Sequence, residues 1–192
     1  MDNYSTPAAP GRFPYPGSMS AGAGSRWRLT LLAVSLTLLG GCAPPGAGEN
    51  TATLLGVHVR YLLRDARDFG VCSPTLVGCT LPLGSECVVQ LDRGYFERGT
   101  PRQRVGLVAH EVGHCLDLYR GHLTHGGFRD QGLRWGPYYR SPAEGYAEAF
   151  SRAYLARCGL DLASLGWQGA RGSCVLPDPR LVTPGLIERL GL

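Results

Sequence analysis

The stretch Thr100 to Tyr119 (TPRQRVGLVAHEVGHCLDLY) constrains this chain more than any other. Thr100 reads as an N-cap, Pro101 suits the first helical position, and Gln103 reaches back to complete a capping box. The spacing predicts a helix over 101–119 with Val105, Val108, Val112 and Leu116 on one apolar face. Off that face the same helix carries His110-Glu111-Val112-Gly113-His114. A fold that contains it must bury the valines in a second layer and still leave two imidazoles, one turn apart, facing a common point.

Imidazoles at i and i+4 on one helix face reach a single zinc ion, and the glutamate beside them is placed to take a proton from a metal-bound water. Zinc lowers the pKa of such a water from about 15.7 towards about 7, so one carboxylate suffices as base. A third protein ligand is needed. The metzincin continuation would put Gly and His three and six residues after His114, but Asp117 and Arg120 stand there. His122 and His125, in a Gly-rich and aromatic stretch over 120–140, are candidates. So are Glu144 and Glu148, one turn apart on a second predicted helix that begins at Ser141-Pro142 and runs to about Arg157. Its buried stripe is Tyr146, Ala149, Phe150, Ala153 and Tyr154. Ser141 and Glu144 also have capping-box spacing, and a Glu144 engaged at the backbone would pass the ligand role to Glu148. Asp117 either accepts from an imidazole or faces solvent.

The remaining elements are smaller. Leu54–Leu63 reads as a strand with His58 pointing outward, 64–85 as a loop stapled by cysteines, and Cys87–Leu91 as a second short strand. A tail helix is predicted near 184–190. Together these make an α+β domain over 53–192 with a short N-terminal sheet.

The start of the chain reads as an address. Arg26 and Arg28 precede an apolar run from Leu29 to Leu39 and then Gly40-Gly41-Cys42, the order of a secretory signal. The run is shorter than the about 18 residues that span a bilayer. Leu38-Leu39-Gly40-Gly41-Cys42 resembles the lipobox of bacterial lipoproteins, which implies a signal peptide over 1–41, with Met19 as a plausible true start, and lipidation of Cys42. Pro44-Pro45-Gly46 then opens a flexible tether over 42–52. These features predict an exported protein anchored in a membrane on its extracytoplasmic side.

Cysteine usage and charge agree with that placement. Six cysteines follow Cys42, an even number that suggests up to three disulfides in any of 15 pairings. The spacing 72–79–87 is not that of a zinc finger. All 19 basic residues are arginine, scattered against 15 acids, so nucleic acid is excluded as a partner.

HEVGHCLD followed by AEGYAEAF resembles the gluzincin peptidases, most closely their lethal-factor-type branch. The resemblance covers residues 101–154. It implies a small zincin-like metallopeptidase that binds Zn2+ and cleaves a peptide or protein, and the chain is expected to be a monomer. By position it implies His110, His114 and Glu144 as metal ligands, Glu111 as catalytic base and Glu148 as the carboxylate that braces a ligand histidine. It also implies a tyrosine before the third ligand that stabilises the tetrahedral intermediate, for which Tyr138 and Tyr139 stand near the right place. The Asn-Glu opening of the thermolysin-type second motif is absent.

Overall fold

A computed structural model describes residues 49–191. The signal segment, Cys42 and most of the tether lie outside them. The mixed α+β architecture is present: a four-stranded sheet, five α-helices and several single-turn 3-10 segments. The strands are β1 (Glu49–Leu54), β2 (Val57–Arg64), β3 (Gly78–Leu83) and β4 (Glu86–Asp92), in spatial order β1-β2-β4-β3. β2 and β4 run parallel, and both outer pairs are antiparallel. The chain therefore lays β3 at the far edge first, and β4 returns to fill the gap beside β2.

Two expectations for this region are corrected. The strand predicted over 54–63 is a hairpin that turns at Leu55-Gly56, where both residues take positive φ (49° and 81°). Its first arm extends back to Glu49, so residues 49–52, assigned to the tether, belong to the sheet. The predicted loop 64–85 contains β3, whose Pro82 is tolerated because an edge strand needs no donor on its outer side.

Alternation along the strands sends Val59, Tyr61, Cys87, Val89 and Leu91 to one face, all almost fully buried. α2 (Pro101–Tyr119) packs on that face with Val105, Val108, Val112 and Leu116, each no more than 1% exposed. Its N-terminus carries the capping box as read: Thr100 Oγ1 accepts from Gln103 N (3.3 Å) and Gln103 Oε1 from Thr100 N (2.8 Å). α1 (Arg93–Arg98), missed in the sequence, follows β4 directly because the Asp92 side chain caps it, accepting from Tyr95 N (2.6 Å).

α3 (Gly132–Trp135) lies in the stretch between α2 and α4 (Pro142–Cys158). α4 buries the predicted stripe of Tyr146, Ala149, Phe150, Ala153 and Tyr154 against α2. The two helices touch at Gly113. A Cβ there would stand 3.0 Å from Ala147 Cα, so only glycine lets them approach this closely. Leu165, Val182 and, from α5 (Pro184–Leu190), Ile187 close the core, and the Tyr61 and Tyr146 hydroxyls donate to the carbonyls of Leu165 and Pro179.

Three disulfides use all six described cysteines: Cys72–Cys79, Cys87–Cys115 and Cys158–Cys174. Such density suits an oxidising, extracytoplasmic setting. Among the described residues no helix is long and apolar enough to cross a membrane.

Candidate metal centre

The contact between α2 and α4 brings the two motifs together. His110 and His114 project from α2, Glu144 and Glu148 from the first turns of α4. Glu144 lies between the two imidazoles, with Oε2 3.1 Å from His110 Nε2 and Oε1 3.5 Å from His114 Nε2. The second nitrogen of His110, Nδ1, faces Glu148 Oε2 at 3.7 Å. One donor atom from each of His110, His114 and Glu144 falls within 4.8 Å of the others, a group that could hold a metal ion.

The Glu144 carboxylate faces the two imidazoles. Ser141 is the N-cap of α4, but its side chain makes no capping hydrogen bond. The Glu144 carboxylate is spent on the histidines. Glu148 is held from its other side by Arg152, whose Nε donates to Glu148 Oε1 (2.7 Å) while its guanidinium lies over the Tyr139 ring.

This packing of charges sets the local electrostatics. Burial alone would lower the His110 pKa, but hydrogen bonds to Glu144 and Glu148 and the nearby Glu111 charge push it up to about 10. Burial would raise Glu144, yet the two imidazoles hold it well below the usual carboxylate range. Glu148 is lowered in the same way, against its burial, by His110 and Arg152. The field that favours a proton on His110 is equally a field that draws a cation to the same point.

Glu111 sits one residue along α2, only 5% exposed, and leans towards the sheet edge. Thr80 of β3 donates to its Oε2 (2.7 Å) and lies 3.0 Å from its backbone oxygen. Gly78, on the same face of β3, comes so close that an added Cβ would stand 2.3 Å from Glu111 Oε1.

The two candidate tyrosines separate. Tyr138 is 46% exposed and its ring stands 5.6 Å from that of His110. Burial and the Glu148 and Glu144 charges raise its pKa, so its hydroxyl keeps its proton at neutral pH. Tyr139 does not face the site: it is 1% exposed, packed between Phe128 and Trp135, and its hydroxyl has no hydrogen-bond partner among the described residues. Consecutive residues in a 3-10 turn point in different directions, and the apolar pocket takes the second.

Neither loop histidine joins the donor group. His125 gives its backbone N (3.0 Å) and Nδ1 (2.5 Å) to the buried Asp117 carboxylate, and His122 is exposed. Asp117 is therefore an acceptor for an imidazole, but for the one in the loop. Cys115 turns away from the site into its disulfide with Cys87, and His58 faces outward as read.

Sequence reasoning passed over Gly78, Thr80 and Arg152. Only Arg152 left a local signal, its i+4 spacing from Glu148. The other two reach the site through strand pairing. No protein-family model, no curated protein and no solved structure matches this chain.

Proposed function

We propose that this chain is a zinc-dependent metallopeptidase of zincin-like fold that hydrolyses peptide bonds outside the cytoplasm and is tethered to a membrane by lipid on Cys42. One observation carries the reading: two imidazoles and a carboxylate converge on one point, with a second carboxylate, Glu111, on the adjoining helix position.

The donor set fits zinc. Two nitrogens and one oxygen are its common catalytic ligands. One such atom from each of His110, His114 and Glu144 lies within 4.8 Å of the others. Three protein donors leave a fourth position, and the engagement of His125 by Asp117 disfavours a closed, purely structural site.

Zinc, when bound, acts as a Lewis acid that polarises a carbonyl and acidifies water. The chain supplies the rest. His110, His114 and Glu144 bind the ion. Glu148 faces His110 Nδ1 and fixes which nitrogen is left for the metal. Glu111 takes the proton of the attacking water and passes it to the leaving amine. Tyr138, whose ring stands 5.6 Å from that of His110, offers its protonated hydroxyl to the negative charge that develops on the substrate oxygen.

The test is zinc content and hydrolysis of the oxidised chain from Ala43, purified without a histidine tag. About one zinc per chain is expected, with cleavage of internally quenched peptides that falls by about 10²–10⁴-fold in Glu111→Gln. No zinc after dialysis against zinc chloride, or hydrolysis indifferent to Glu111→Gln, overturns the reading.

A further inference from the structure

The general base of such a site is useful only if its carboxylate is held in one orientation, and here the hold comes from the sheet edge. Glu111 is buried on the side of α2 that meets β3, where the Thr80 hydroxyl donates to its carboxylate, 2.7 Å from Oε2. A hydroxyl has one proton, and its other acceptor within reach is the Glu111 carbonyl at 3.0 Å, so the shorter, charge-assisted bond takes it.

Gly78, two residues earlier and on the same face of β3, provides the room. A side chain there would collide with Oε1, with Cδ (2.8 Å) and with Leu107 Cδ1 (2.9 Å). Thr80 and Gly78 thus bracket one carboxylate, one by a directed hydrogen bond and the other by having no Cβ.

We propose that Thr80, seated over Gly78 on β3, is a positioning residue for Glu111. Its bond fixes Oε2, and the missing side chain at Gly78 makes the room that Oε1 occupies, so the carboxylate that acts as base is held in one orientation. This rests on the peptidase reading above. The bond also keeps Glu111 from swinging towards His110 and His114 to become a fourth ligand, which would close the site. A β-strand outside both helical motifs therefore belongs to the machinery, and its sequence requirement is Gly-x-Thr at 78–80.

The test compares Thr80→Val, which keeps the shape and removes the donor, with Thr80→Ser, which keeps the donor. In the oxidised full-length protein loaded with zinc, and with internally quenched peptides as substrate, Thr80→Val lowers kcat by about tenfold or more and leaves KM and zinc affinity within about twofold. Thr80→Ser recovers kcat to within about threefold of wild type.

A second readout needs neither metal nor substrate. In the metal-free protein Thr80→Val lowers Tm by about 5 °C, and by less than about 2 °C once Glu111→Ala has removed the acceptor. Equal Tm shifts in the two backgrounds, or an unchanged kcat in Thr80→Val, overturn the assignment while the peptidase reading stands. A wild-type protein that binds zinc and cleaves nothing overturns both.

Discussion

Gly113→Ala tests whether the close approach of α2 and α4 sets the spacing of the metal donors. Gly113 lies between His110 and His114, and its neighbour Ala147 lies between Glu144 and Glu148, so their contact is at the centre of the site. An alanine Cβ would meet Ala147 Cα at 3.0 Å, Phe150 Cβ at 3.2 Å and Ala147 O at 3.3 Å. The first falls about 0.4 Å short of ordinary van der Waals contact, and backbone atoms cannot step aside as a flexible side chain can. The helices must part by roughly that amount, and with them the imidazoles from the carboxylates. Metal bonds tolerate only about 0.2 Å. Stability should fall only modestly, because alanine gains about 1 kcal/mol over glycine in a helix while overpacking costs about 1–3 kcal/mol. The net is a loss of about 0–2 kcal/mol. Zinc affinity, by contrast, should fall by about 10–100-fold, the usual effect of displacing a ligand's support. Competition against a chromophoric chelator reads the affinity, and urea unfolding of the metal-free protein reads the stability. A variant that binds zinc within twofold of wild type and is about 1 kcal/mol more stable would refute the reasoning.

Tyr139→Phe removes a buried hydroxyl that has no partner, so it should be neutral or stabilising by up to about 1 kcal/mol in urea unfolding, with zinc affinity unchanged. A clear loss of either would mean that the hydroxyl has a role. Loss of the Cys87–Cys115 link in the double Cys→Ala variant frees a loop with a sequence separation of 28 and should cost about 3.6 kcal/mol in the chain-entropy account. A cost below about 1 kcal/mol would show that the unfolded chain is already constrained. Asp161 accepts from Ala163 N, Ser164 N, Ser164 Oγ and Cys174 N, and Asp161→Ala should cost about 1–2 kcal/mol, reduced from the buried figure because the site is partly open to solvent. Against its burial, those bonds hold the Asp161 pKa below the ordinary value. Its contribution is therefore complete above about pH 4 and is lost as pH falls through the lowered folded value, so the Tm gap between wild type and variant should close on acidification. A gap that stays constant down to pH 2.5 would contradict this.

What was legible in the sequence was what is encoded locally. The Thr100 cap, the valine stripe of α2 and the aromatic stripe of α4 are set by residues within a few positions of one another. The pairing of His110 with His114 needs only helix geometry. The rest depends on partners distant in sequence. The turn at Leu55-Gly56 lacks the Asn-Gly or Asp-Gly pair that announces a tight hairpin, and the polar arm Glu49–Ala52 is a strand only because β2 pairs with it. Glu144 had a sound local use as a capping residue, and the imidazoles of α2 outbid Ser141 for it. The choice between Tyr138 and Tyr139 rested on which way a 3-10 turn rolls against Phe128 and Trp135. Thr80 and Gly78 were invisible for the same reason: nothing near β3 in the chain says which helix crosses it.

The three disulfides join each described cysteine to the next along the chain: 72 with 79, 87 with 115, 158 with 174. None interleaves with or encloses another. A chain that meets an oxidant with its N-terminal end first presents its thiols in that order, and each native partner is the next described thiol to appear. Pairing in simple succession is thus the one of the 15 possible patterns that the fold uses. Cys158–Cys174 needs the C-terminal segment, whereas the other two, one of them anchored in the histidine helix at Cys115, need nothing beyond residue 115.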